Sequence, residues 1–243
     1  MELAGLDLWV AVACLAVVTI GSTLQGVIGL GMGLLAAPLL ALADPAFLPV
    51  STVIAVIPLG IGAAWRERHA VERRDVAIAL SGRVVGVAVG AWAAAATGHG
   101  FLALMVAISV LIAVVGSVTG LRFATTDRNL VLAGAASGFT GTAAGVGGPP
   151  MGLTYQHARP ATLRATLSAF FAVGAVVSLV GLAIAGEVDR HRLGLALVVL
   201  PGVPLGLVLS KPLIGRVPAE RIRPLVLAVC AASAIALLLD ELL

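Results

Sequence analysis

The sequence predicts an all-α polytopic integral membrane protein of two homologous repeats, inverted relative to each other. Each repeat is a broken or hairpin first segment followed by three transmembrane helices. Three observations lead there. The 243 residues are 60% hydrophobic and 11% charged, with mean hydropathy +1.12, whereas a soluble domain carries about 25% charged residues. Apolar runs of about twenty residues, the length that crosses a bilayer as helix, recur from end to end. A glycine–proline break also interrupts apolar sequence twice, once in each half. The first is Gly29-Leu30-Gly31-Met32-Gly33 followed by Pro38; the second is Gly145-Val146-Gly147-Gly148-Pro149-Pro150. A β-barrel would need short segments of alternating polarity, and none is present.

The apolar segments run over residues 6–42, 46–65, 76–96, 101–121, 129–157, 163–186, 193–210 and 222–240. The first opens on Met1 to Asp7, which is acidic and lacks the basic residues of a signal peptide. It is longer than one crossing and holds the first break. The second is closed by Arg66 and Arg68. The third carries Gly82, Gly86 and Gly90 at a spacing of four, the pattern of close helix packing, and Arg83, which can snorkel to the interface or reach the pathway, snorkelling being the favoured reading. A turn at Thr97-Gly98-His99-Gly100 leads into the fourth, and His99 reads as a loop residue. The fifth is again long and holds the second break. The sixth, seventh and eighth have the length of single crossings, and the seventh repeats the small-residue ladder as Gly202, Gly206 and Ser210. Gly29-Leu30-Gly31 aligns with Gly145-Val146-Gly147, and Val71-Glu72-Arg73 with Val188-Asp189-Arg190. The repeats are residues 1–125 and 126–243, forming one membrane domain.

Basic residues orient the segments. If every segment crosses once, nine Lys and Arg fall on one side and six on the other, which is hardly a bias. Segments one and five can instead each return to the side they entered, as a hairpin or as two crossings. Then Arg66, Arg68, Arg73, Arg74, Arg83, Arg122, Arg128, Arg159, Arg164, Lys211, Arg216, Arg221 and Arg223 share one side, thirteen in all, against Arg190 and Arg192. This layout places the chain in the cell membrane with the Lys/Arg-rich loops cytoplasmic. It also inverts the halves, as in many secondary transporters.

Open backbone in lipid needs partners from protein or from a water-filled cavity, so paired breaks point to a binding site. Hydroxyls and amides cluster beside both: Ser22, Thr23 and Gln25 before the first, Ser137, Thr140 and Thr142 before the second, Tyr155 and Gln156 after it. A half-helix starting at a break offers free N–H groups and a positive dipole end, which suits an anion without a buried cation. The expected substrate-binding residues are Ser22, Gln25, Gly29, Gly31, Gly33, Thr140, Thr142, Gly145, Gly147, Gly148 and Pro149. No catalytic residue, cofactor or metal is expected. His69, His99, His157 and His191 lie at segment edges, and no His-Glu-x-x-His or phosphate-binding Gly-x-x-x-x-Gly-Lys is present. Cys14 and Cys230 read as buried thiols. With 4% aromatic residues the chain has no basic stacking platform for nucleic acid. The partners are a small anion and the lipid bilayer; a homo-oligomer is allowed but not required.

These residues resemble the TauE/SafE family of sulfite exporters. Gln25-Gly26-Val27-Ile28-Gly29-Leu30-Gly31-Met32-Gly33 with Pro38 looks like its first motif, with Met32 where a glycine is frequent. Gly138-Phe139-Thr140-Gly141 through Gly145-Val146-Gly147-Gly148-Pro149-Pro150 looks like the second. Arg164-Ala165-Thr166-Leu167-Ser168-Ala169-Phe170-Phe171 resembles the stretch after it. The resemblance implies a secondary transporter, exporter or permease, for sulfite, a sulfonate or another small organic anion. The alternative is a small-anion channel using the same half-helix ends.

Overall fold

The computed structural model describes residues 2–3, 5–96, 99–119, 123–155, 158–216 and 219–242. Thr97-Gly98 of the expected turn, Arg122, Gln156 and His157 lie outside the described residues. After a short pairing of Glu2–Leu3 with Leu6–Asp7, the chain is helical. In order the α-helices are α1 Leu8–Ile28, α2 Met32–Ala43, α3 Val50–Arg66, α4 Arg73–Ala96, α5 His99–Val118, α6 Asp127–Ala143, α7 Gly148–Thr154, α8 Pro160–Ile184, α9 Arg190–Val199, α10 Gly202–Ser210 and α11 Ala219–Leu242. Among the described residues, Leu8–Ile28, Arg73–Ala96, Pro160–Ile184 and the stretch Arg190–Leu213 are long and apolar enough to cross a membrane.

Segments one and five are split where the glycines stand. Gly29 ends α1 in the left-handed region (φ 96°), its N–H donating to the Gln25 carbonyl at 2.7 Å. Gly31, at φ 133°, starts α2. In the second half Gly145 is left-handed (φ 70°), and both Ala144 and Val146 donate to the Thr140 carbonyl. α7 then begins with Pro149 and Pro150 in its first turn, where a missing N–H costs nothing. Segment seven is also broken, which its hydropathy does not reveal. Pro201 interrupts the hydrogen-bond ladder between α9 and α10, although the two run on as one apolar stretch.

The long helices pack in pairs: α4 on α6, α3 on α8, α1 on α10, and α5 on α11. The glycine ladders are what let two of these pairs touch backbone to backbone. A Cβ at Gly82 would lie 2.0 Å from the Val131 carbonyl oxygen, at Gly86 1.9 Å from that of Ala135, and at Gly134 2.0 Å from that of Ala79. The second ladder behaves alike, since a Cβ at Gly206 would meet the Thr19 carbonyl oxygen at 2.7 Å. Outside, the bundle shows apolar side chains such as Trp9, Trp92 and Ile184, while Ser22, Ser51, Arg83, Ser137 and Ser178 are buried within it. This is the reverse of a water-soluble core and suits lipid contact.

Polar contacts at the helix ends show which ends lie together. Gly5, before α1, packs on His191, and His191 Nε2 is 3.7 Å from Asp44 at the end of α2. Segment one therefore returns to the end of the bundle it left. Segment five does the same: Thr125 Oγ1, before α6, donates to the Thr154 carbonyl at 2.7 Å, at the end of α7. Both are hairpins of one long and one short helix. The end holding Gly5, Asp44 and His191 also holds Ser51 and Arg192, which share a hydrogen bond. The opposite end is knit by Arg74 to Asp127, by Tyr155 Oη to Asp75 at 2.6 Å, and by Arg164 Nε to Glu67 at 2.9 Å.

Candidate functional site

The two breaks meet inside the bundle. A Cβ at Gly33 would sit 2.5 Å from the Gly145 carbonyl oxygen, and one at Gly145 2.4 Å from Thr52 Oγ1. At both positions only glycine allows the approach, and Gly145 needs it for its φ as well. Side chains from the long helices brace the open backbone. Gln25 Oε1 on α1 accepts from the Met32 N–H at 3.3 Å, tying the end of α1 to the start of α2. Ser137 Oγ on α6 donates to the Gly147 carbonyl at 2.5 Å.

A small cavity lies where they meet, lined by Gln25, Gly31, Gly33, Leu34, Thr52, Val53, Val56, Arg83, Gly141, Gly145, Gly147, Gly148, Phe171 and Ala175. Its free volume of about 40 Å³ has room for about three water molecules, or one compact ion. Arg83 is about ten residues into α4, roughly 15 Å from its start, so the cavity lies near the middle of the crossing helices.

Arg83 does not snorkel. It is 4% exposed and held between α6 and α8. Nη1 donates to Ser137 Oγ at 3.0 Å, Nη2 to Ser178 Oγ at 3.4 Å, and the guanidinium lies 4.9 Å from the Phe170 ring centroid. Gly174 leaves the slot it occupies, for a Cβ there would be 2.0 Å from Arg83 Nε. The physical reason is the ladder on either side of it. Gly82 and Gly86 draw α4 onto α6, and the side chain is enclosed before it can turn toward an interface. Among the described residues no carboxylate pairs with Arg83. Its Nε and the Nε2 of Gln25 are buried without an acceptor among the described residues. Each such orphan costs about 1–3 kcal/mol, more where the group is charged. A negatively charged guest would offset that cost.

Of the residues expected from sequence, Gln25, Gly31, Gly33, Gly145, Gly147 and Gly148 line the cavity, and Ser22, Gly29, Thr140, Thr142 and Pro149 do not. Ser22 is buried against Gly206. Gly29 makes room for Leu163 and Arg164 of α8. Thr140 spends its hydroxyl on the Ala136 carbonyl at 3.0 Å. Thr142 acts one step away: its Oγ1 donates to Ser178 Oγ at 2.8 Å, and Ser178 in turn accepts from Arg83. Sequence reasoning preferred the interface to the pathway for Arg83 and assigned no site role to Ser178 or Gly174. The default reading of an intramembrane arginine as functional would have found the first; no local signal marks the other two. α7 is seven residues long, so its end carries little dipole, and the cavity is also lined by a buried cation, Arg83, which the half-helix expectation did not include.

The sequence profile of the family described as Sulfite exporter TauE/SafE matches residues 13–237. The chain belongs to this family. No curated protein and no solved structure matches it. As a TauE/SafE protein with apolar crossing helices it is a multi-pass membrane protein, and the family implies a transporter of anions of the sulfite kind.

Proposed function

We propose that the protein is a secondary transporter that exports a small anion, such as sulfite, a sulfonate or another small organic anion, by alternating access around the cavity between the two breaks. The observation that carries this reading is Arg83, buried at that cavity with no carboxylate partner among the described residues. The anion is held by the Arg83 guanidinium, Gln25 Nε2 and the backbone of Gly31, Gly33, Gly145, Gly147 and Gly148. Ser137, Ser178 and Thr142 keep the guanidinium in place.

The moving parts are the halves 1–125 and 126–243, inverted and related by a pseudo-two-fold axis. Exchanging them maps α1 on α10 to α6 on α4, while α3 on α8 and α5 on α11 map to themselves, which matches the packing pairs. α1 also starts at the end holding His191, and α6 at the end holding Asp75. The Lys/Arg-rich end of the bundle faces the cytoplasm by the positive-inside rule.

Flux into proteoliposomes, measured with sulfite, thiosulfate, sulfonates and carboxylates and with or without a pH gradient, tests the reading. Saturable uptake with counterflow of at least one small oxyanion is expected. Flux without saturation or counterflow would make the protein a channel, and no anion flux at all would sink the proposal.

A further inference from the structure

Among the described residues lining the cavity, Arg83 alone is charged. A guest therefore meets one whole positive charge, together with dipoles and N–H groups. α2, twelve residues long, adds at most roughly half a charge at its N-terminal end. A monoanion paired with Arg83 leaves the buried site neutral. A dianion of the same shape leaves excess negative charge in a low-dielectric interior, where uncompensated charge is costly.

Among the described residues, nothing is placed to correct that imbalance by taking up a proton. Toward Arg83, α6 presents Ser137, Gly138 and Gly141, and α8 presents Phe170, Gly174 and Ser178, none of which titrates. The charged groups of α4, α6 and α8 other than Arg83 stand within the first five residues of their helices, as Arg73, Arg74, Asp75, Asp127, Arg128 and Arg164. α3 has one, Arg66, its last residue, and α2 has none.

Taking the cavity as the transport site, we propose that it accepts its substrate as a compact monoanion. A diprotic oxyanion such as sulfite then travels as hydrogensulfite and carries its own proton. Proton coupling is a property of the substrate: each molecule moved brings one negative charge and one proton, and no carboxylate relay is needed.

Two measurements on the full-length protein test this. The first is sulfite counterflow in proteoliposomes with equal pH on both sides, the pH being raised through the second dissociation of sulfurous acid. The half-saturating concentration of total sulfite should stay flat below that dissociation and rise about tenfold per pH unit above it. Competition by methanesulfonate, a monoanion throughout, should not change. A half-saturation flat across the whole range would mean the dianion is taken. A parallel change in methanesulfonate would mean a protein group titrates. Either result overturns the proposal. The second is thermal stabilisation of the purified protein by methanesulfonate and by sulfate, which are close in size and differ by one charge. Methanesulfonate should stabilise at concentrations at least tenfold lower. If it does while sulfite is not transported, the transport reading fails and the charge preference stands. Equal or stronger stabilisation by sulfate, or none by either, overturns the charge preference.

Discussion

Gly174→Ala tests the place of Arg83 without touching a charge. The added Cβ would lie 2.0 Å from Nε, 2.4 Å from Cδ and 2.5 Å from Cζ of Arg83. Restoring an ordinary contact of 3.4 Å requires a shift of 3.4 − 2.0 = 1.4 Å at Nε. The guanidinium is packed on Phe170 and enclosed by α6, so the shift must be taken toward the cavity. The bond to Ser178 Oγ, already 3.4 Å, cannot survive it. Losing one hydrogen bond to a charged group costs about 1.5–3 kcal/mol, which is roughly a 10- to 100-fold rise in half-saturation if it falls on the bound state. Gly181→Ala on the same helix is the packing control, since its Cβ would meet Val87 Cγ1 at 2.9 Å and Ala91 Cβ at 3.5 Å and no atom of Arg83 within 4 Å. Counterflow in proteoliposomes reads the half-saturation, and thermal melting checks the fold. In an Arg83→Ala background, Gly174→Ala should lose most of its effect on melting, because the clashing atoms from Cδ outward are gone. A well-folded Gly174→Ala protein with wild-type half-saturation would refute the positioning of Arg83 as the anion's partner.

Gly31→Leu and Gly147→Leu should each abolish transport while leaving membrane insertion intact; normal flux in both would remove the breaks from the site. Gly86→Ala is a packing variant: its Cβ would be 1.9 Å from the Ala135 carbonyl oxygen and 2.8 Å from the Phe139 nitrogen. It should destabilise by about 1–3 kcal/mol or more, seen as a lower melting temperature. Glu67 and Arg164 form an ion pair with side chains 18% and 12% exposed, so Glu67→Gln should lower the melting temperature by leaving a largely buried charge. The double variant with Arg164→Gln should recover part of the loss, and an additive double variant would rule out the coupling.

The membrane class, the helix spans and the positions of the breaks were legible in the sequence, because each depends on residues close together in the chain. Gly29 and Gly145 terminate α1 and α6 through their own φ, and Pro149-Pro150 opens α7 for a local reason. The basic-residue count favoured a return of segments one and five to the side they entered, as a hairpin or as two crossings, and the contacts of His191 with Asp44 and of Thr125 with Thr154 have both segments returning to their own end. The division of segment seven at Pro201 was not legible, since both pieces are equally apolar and continue one another.

By itself, then, the sequence determined a helical membrane bundle with two opened segments, because hydropathy and glycine conformation are local properties. Only the tertiary structure decided that the openings touch, Gly33 against Gly145, and that the cavity between them has a cation. Arg83 is held by hydroxyls 54 and 95 residues away, in a slot left by a glycine on a third helix. From its neighbours in the chain it looks like a residue bound for the interface. Helix packing set by the glycine ladders encloses it instead, and turns a pair of backbone breaks into a charged site.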